Sequence, residues 1–172
     1  MPVRPNALER LLLYRFNRGP APIVDLFAAA GFRAVALAID LGLFAALDDG
    51  KATPSAIADA VDAHPDGVHH LLALLEPLGY VERSGDGYAP SRMTSAWLLG
   101  DDPNLAPWFT YWSDVVFPYW TEHLETTIRS GSPERTAYDY AEENELWEVT
   151  QRGFRAVATL LADDVFETIS LP

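Results

Sequence analysis

The sequence predicts a mainly α fold: a winged helix-turn-helix with a small β-hairpin, set between a very apolar helical region and an aromatic-rich one. Three observations predict it. Two short apolar helical segments, opened by Thr53-Pro54-Ser55 and separated by His64-Pro65-Asp66-Gly67, run directly into a hairpin pattern over Tyr80 to Pro90, which is the element order of a winged helix. The stretch Ile23 to Leu41 is apolar on nearly every side. Beyond Asn104, Trp108, Phe109, Tyr111, Trp112, Phe117, Tyr119 and Trp120 crowd into one short segment.

In chain order, Asn6 is a good N-cap for a first helix over Ala7 to Phe16, where Leu8, Leu11, Leu12 and Phe16 recur at helical spacing and Gly19-Pro20 ends the pattern. Ile23 to Leu41 follows as a second helix. Gly31 interrupts it at a cost of about 1 kcal/mol relative to alanine, which predicts a kink or a close helix crossing. Its polar positions are mainly Asp25, Arg33 and Asp40, so it needs burial on more than one side. Two readings stay open: Leu26, Phe27, Ala30, Ala34, Leu37 and Leu41 face a second copy in an intertwined dimer, or the helix is the centre of one subunit's core.

Gly42-Leu43-Phe44 leads into Ala45-Ala46-Leu47 and a turn at Asp48-Asp49-Gly50. Thr53 then caps a helix with Pro54 at its first position, carrying Ile57, Ala58 and Val61. Val68 to Leu78 is the next predicted helix, with Leu71, Leu72, Leu74 and Leu75 and with Gly79 as the residue past its end. Tyr80 to Arg83 and Tyr88 to Pro90 read as short strands around Ser84-Gly85-Asp86-Gly87, and Ser91 to Leu99 as a further short helix before the loop at Gly100-Asp101-Asp102-Pro103. In the aromatic segment Pro118 should kink or split the helix that continues to Ile128. Gly131-Ser132-Pro133 is a turn, Tyr138 and Tyr140 fall in a less regular stretch, and Glu145 to Ile169 is the last helix, with an apolar face that includes Leu146, Trp147, Phe154, Val157, Val165 and Phe166.

At 172 residues the chain can bury about 70% of its unfolded surface and needs no covalent staples. It has no cysteine, which excludes disulfides, thiolate metal sites and cysteine nucleophiles. The net charge of -13 is uneven: residues 1–35 are basic and 101–172 the most acidic, and Lys51 is the lone lysine. That balance suits a high-salt, halophile-like cytoplasm or a GC-rich genome, with an ordinary acidic mesophilic protein as the alternative. No stretch reaches the ~20 uninterrupted apolar residues of a membrane span, so a soluble cytoplasmic protein with no membrane partner is expected.

A winged helix raises nucleic-acid binding, yet Val68 to Leu78 carries no Lys or Arg and is bordered by Asp62, Asp66 and Asp86. Displacing the counterions of a duplex takes several cations, so no nucleic-acid partner is expected. His64, His69 and His70 are close in sequence, but neighbouring helical residues point about 100° apart and no cysteine or spaced acid completes a set, so no metal is expected. No glycine-rich phosphate loop opens a helix, no cofactor is expected to bind this chain by itself, and no catalytic residue is assigned. The acids Asp139, Glu142, Glu143, Glu145 and Glu148 read as solvated surface. The aromatic belt is either packing or the wall of a pocket for a planar aromatic small molecule. If Pro118 merely kinks its helix, Trp112, Val116, Trp120 and His123 share the face that would form such a wall.

The run Leu41-Gly42-Leu43-Phe44, Thr53-Pro54, Leu71-Leu72-Ala73-Leu74-Leu75, Leu78-Gly79-Tyr80-Val81 and Gly87-Tyr88, followed by Phe117-Pro118-Tyr119-Trp120, Ile128-Arg129-Ser130-Gly131 and Phe154-Arg155-Ala156-Val157, resembles the N-terminal region of plant-type and bacterial antibiotic-pathway O-methyltransferases. The resemblance covers most of the chain. It implies dimerisation helices over 1–50, a winged helix-turn-helix over 51–99, and over 100–172 an aromatic-rich extension and linking helix toward a missing methyltransferase domain. It also implies a homodimer that closes over the substrate, with Trp112, Trp120, Phe154 and Val157 facing the acceptor. Val157 stands where the family usually has methionine. The methyl donor implied for a full-length relative is S-adenosylmethionine. Its strand and glycine-rich loop do not occur here, so the expectation is a dimerisation and pocket-forming domain, not catalytic alone. The alternative is a winged-helix transcriptional regulator whose aromatic pocket senses a ligand.

Overall fold

The computed structural model describes residues 5–48, 53–101 and 103–168, the last helix from 163 onward by its backbone. The expected turn residues Asp49-Gly50, Lys51, Asp102, the side chains of Val165 and Phe166, and the end of the last helix at Ile169 lie outside what is described. The chain divides into two compact units, Met1–Ser95 and Ala96–Pro172.

In the first unit, α1 (Ala7–Arg10) begins with a capping box: the Asn6 Oδ1 accepts from the Glu9 N–H at 2.9 Å and the Glu9 carboxylate accepts from the Asn6 N–H at 2.8 Å. It continues as a π-helical turn, Leu11–Arg15, and stops where Asn17 takes φ 50° and Gly19 φ 139°. No side chain of this whole segment is buried.

Helix α2 (Ile23–Asp40) runs unbroken through Gly31. The close approach at Gly31 is to a turn residue and not to another helix: a Cβ there would lie 3.2 Å from the Leu78 side chain, beyond the end of the helix that stops at Leu75. One face of α2, Ala34, Val35, Ala36 and Ala38, is turned inward. Gly42, at φ 72°, redirects the chain into α3 (Leu43–Asp48), which buries Leu43, Phe44 and Leu47.

Helix α4 (Pro54–Ala60) is capped as predicted, with the Thr53 hydroxyl accepting from the Ala56 N–H. Helix α5 differs from expectation at both ends, spanning Pro65–Leu75 and not Val68 to Leu78. His64-Pro65 is not a break but a start: proline needs no amide partner at a first helical position, and His64 Nδ1 accepts from the Asp66 N–H at 3.2 Å. The residues after Leu75 unwind so that Tyr80 N–H can reach the Leu75 carbonyl at 3.0 Å, with Gly79 at φ 81°.

Strand β1 (Val81–Ser84) pairs antiparallel with β2 (Gly87–Pro90), Val81 opposite Pro90 and Ser84 opposite Gly87, around a turn that opens on Gly85 at φ 62°. Helix α6 (Arg92–Trp97) is shorter than predicted. It is anchored by the buried Thr94, whose hydroxyl donates to the Tyr80 carbonyl at 2.6 Å. Val68, Leu72 and Leu75 of α5 belong with Leu43, Leu47, Ile57 and Val81 to this unit's buried core.

The second unit comprises α7 (Ala106–Tyr111), a π-helical turn Trp112–Val116, α8 (Phe117–Ser130), α9 (Ala137–Glu143) and α10 (Trp147–Thr168). Pro118 neither kinks a regular helix nor cuts it: with no N–H to offer the carbonyl one turn back, the preceding turn widens, and the Phe117 N–H bonds the Trp112 carbonyl five residues earlier. Gly131 at φ 81° ends α8.

The stretch expected to be irregular around Tyr138 and Tyr140 is helix α9, because Thr136 and Asp139 form a capping box. The last helix begins at Trp147, two residues later than predicted, since Glu145 takes φ 59° and Leu146 N–H turns back to the Ala141 carbonyl. Tyr111, Val115, Val116 and Ala141 form the core, with Trp108, Trp112, Tyr140, Leu146 and Val149 packed on it.

The capping box makes one prediction. Hydrogen bonds from the Thr136 backbone and hydroxyl hold the Asp139 carboxyl below its ordinary value. The ionised form is therefore favoured by the fold, and its contribution holds above the unfolded pKa and fades as pH falls through the lower folded one. Thr136→Ala removes the hydroxyl bond and should raise the Asp139 pKa toward the usual carboxylate range in a carboxyl NMR titration. An unmoved titration would contradict the cap.

Candidate functional site

Two features are left after the core is assembled: apolar surface in the first unit and a string of aromatic rings in the second. In the first unit Leu8, Leu11, Leu12, Tyr14 and Phe16 lie exposed before α2, Leu26, Phe27 and Leu37 lie exposed on it, and Leu41 lies exposed at its C-terminal cap. Leu26 is 65% exposed and Leu8 64%. Of the six positions expected to face a second copy, Leu26, Phe27, Ala30, Leu37 and Leu41 are outward. Ala34 departs from that expectation and is buried in its own subunit, because it shares a face with Val35 and Ala38. A nine-residue helical segment with no buried side chain has little to hold it in isolation, since short helices depend on tertiary packing.

In the second unit the rings touch in series. Trp120 meets Trp112 edge-on at 5.4 Å between centroids, Trp112 meets Trp108 at 6.0 Å, and Trp108 meets Phe154 at 5.8 Å. Phe154 stacks on Tyr138 at 6.1 Å, and Tyr138 meets Trp147 at 6.3 Å. These are the edge-to-face and offset separations that ring quadrupoles favour. Tyr111 closes the buried side, stacked on Trp108 at 5.1 Å, and burial, reinforced by nearby Tyr138, pushes its hydroxyl pKa above the ordinary value. The outer edge is open: Trp120, Tyr138, Trp147 and Phe154 are exposed.

The expected wall of Trp112, Val116, Trp120 and His123 is redistributed by the π turn. Trp112 and Trp120 are together, and Phe154 joins them through Trp108. Val116 departs from the expected wall and is turned into the core. His123 lies with Tyr119 at 5.2 Å and Tyr140 at 6.4 Å, in a separate group whose Tyr119 hydroxyl donates to the Arg135 carbonyl. Val157 is half-buried on α10, one turn beyond Phe154's side of the helix.

The sequence reading missed Tyr138 and Trp147, which join this string only because α9 is a helix. Its capping signal, Thr136 three residues before Asp139, was present to be read. Among the described residues no cluster of three or more His, Asp or Glu could hold a metal ion, and no helix is long and apolar enough to cross a membrane.

Residues 26–100 match the model of the O-methyltransferase dimerisation domain. The matched segment makes up less than half of the chain. The exposed leucines of α2 lie in it. The chain is 33% identical over 118 residues to the tetracenomycin polyketide synthesis 8-O-methyl transferase TcmO of Streptomyces glaucescens, covering 66% of this chain and 34% of that protein. It is 29% identical over 134 residues to the mitomycin biosynthesis 6-O-methyltransferase of Streptomyces lavendulae, covering 72% of this chain and 35% of that one.

The fold is shared with CalO1, a methyltransferase in calicheamicin biosynthesis solved in its SAH-bound form, at a TM-score of 0.72 and 17% identity over 98% of this chain and 50% of that chain. It is shared as well with human N-acetylserotonin methyltransferase in complex with SAM, at a TM-score of 0.72 and 19% identity over 99% and 51%. The chain thus spans about a third of the length of the two Streptomyces relatives and about half that of these solved structures.

Proposed function

We propose that the chain is the N-terminal part of a small-molecule O-methyltransferase, pairing with a second copy of itself through α1 and α2 and lending its aromatic string to a pocket for a planar aromatic acceptor. The observation that carries this reading is the exposed leucine and phenylalanine surface before and on α2, half of it inside the matched segment. Large apolar side chains left uncovered in such number mark an interaction surface.

The acceptor wall we assign is Trp112, Trp120 and Phe154, with Val157 at its border. Val116 and His123 take no part in it. S-adenosylmethionine is the donor this reading gives the whole enzyme. The residues described here do not themselves fit that donor: their sheet is a two-stranded antiparallel hairpin, whereas a nucleotide-type site needs a parallel strand leading through a glycine loop into a helix. Duplex DNA is not the partner assigned to α5, whose residues Pro65–Leu75 include no Lys or Arg.

Light scattering tests the pairing directly. The wild-type chain should behave as a particle of two subunits, and Leu26→Glu combined with Leu37→Glu should halve its mass while leaving the helical circular dichroism unchanged, because both side chains already face outward. A wild-type particle of one subunit at high protein concentration would overturn the reading.

A further inference from the structure

The second unit contains a cavity of about 240 Å³ that the aromatic string does not use. It is lined by Asp101, Asn104 and Pro107 at the entry to α7 and by Arg152, Arg155, Ala156 and Thr159 on one stripe of α10. Three, four and seven residues separate those α10 positions, so they share a helix face distinct from the one Phe154 occupies.

The charges here are unusual for a chain with a net charge of -13. In the same unit Arg129 is paired with Glu125, Arg135 with Glu143 and Arg152 with Glu148. Arg155, among the described residues, has no carboxylate partner and faces the cavity. The other polar groups at the rim are partly committed: the Asn104 side chain caps the Ala106 N–H at 2.9 Å, and the Thr159 hydroxyl donates to the Arg155 carbonyl at 3.0 Å.

We propose that this cavity binds a small organic monocarboxylate, with the Arg155 guanidinium as its anchor and Arg152 as a second donor shared with Glu148. A guanidinium presents two parallel N–H groups that match the two oxygens of a carboxylate, and such charge-assisted pairs are about twice as strong as neutral ones. A carboxylate fits better than a phosphate because Asp101 lines the same cavity, and a second negative charge would sit against it. Pro107 and Ala156 offer the ligand's hydrocarbon part an apolar wall.

Sodium benzoate, titrated at constant ionic strength against the full 172-residue chain and followed by arginine side-chain NMR, tests the assignment. Benzoate should shift the Arg155 and Arg152 signals saturably. Arg155→Gln should weaken that binding by at least about tenfold, while Arg129→Gln, on the exposed Glu125 pair, should leave it unchanged. Arg155→Lys keeps the charge without the fork and should fall between. Benzyl alcohol separates this cavity from the aromatic string: it should not move the arginine signals.

Equal binding by Arg155→Gln, shifts no larger than those from added chloride, or tighter binding of inorganic phosphate than of benzoate would each overturn the assignment. The readout is independent of subunit pairing, so the proposal and the dimer reading can fail separately.

Discussion

Gly153→Ala is expected to destabilise the second unit by about 1–3 kcal/mol, the range for forcing extra atoms into a packed core. Alanine is ordinarily the better helix residue by about 1 kcal/mol, so the sign is the test. Gly153 is buried inside α10, and a Cβ there would stand 2.6 Å from the Tyr111 Cβ, 3.0 Å from its Cγ and 3.3 Å from the Pro107 carbonyl. Real side chains do not approach a Cβ that closely. The obstacle is the root of Tyr111 and the α7 backbone rather than a flexible tip, so α7 and α10 would have to separate.

Gly67→Ala is the matched control, because Gly67 lies in α5 with open space where its Cβ would go. Urea unfolding should show Gly67→Ala neutral or stabilising and Gly153→Ala destabilising. Equal behaviour of the two would refute the crossing. Since Tyr111 stacks on Trp108 and Phe154, Gly153→Ala should also redshift the tryptophan emission as the string loosens.

Leu72→Ala should cost about 2–5 kcal/mol, the usual range for removing a buried leucine and leaving a cavity. Leu72 is fully buried on α5, with Val68 and Leu75 on the same side. Leu74, two positions on, is 38% exposed, so the same change there should cost much less. The pair tests the phase of α5: if Leu74→Ala proved the costlier substitution, the helix would be rotated from the arrangement described.

Much of the first unit was legible because its signals are local. Asn6, and Thr53 followed by Pro54, mark helix starts by themselves, and both caps are formed. Gly85, expected in the hairpin turn, has positive φ; Gly79, expected just past a helix ending at Leu78, also has positive φ, although α5 stops at Leu75. The errors arose where one residue type serves two purposes. Proline at Pro65 was read as a breaker, although at a helix start it is an initiator. At Pro118 it was read through the kink of a regular helix, and the chain answered with a π turn.

The candidate site was less legible than the fold. Apolar spacing alone cannot say which face of α2 meets its own subunit, so Ala34 was grouped with Leu37 although one is buried and the other 48% exposed. The aromatic wall depended on helical phase across Pro118, and one widened turn was enough to send Val116 into the core and leave His123 in another group.

What the amino-acid order determined by itself was the succession of helices, hairpin and caps, since each depends on backbone preferences and hydrogen bonds reaching only a few residues. The tertiary structure decided which apolar side chains are left uncovered before and on α2, which rings meet, and that Arg155 lines a cavity shared with Asp101. Those outcomes depend on helix rotation and on contacts between residues far apart in the chain, such as Tyr111 with Gly153, and a shift of one residue in a single turn reassigns them all.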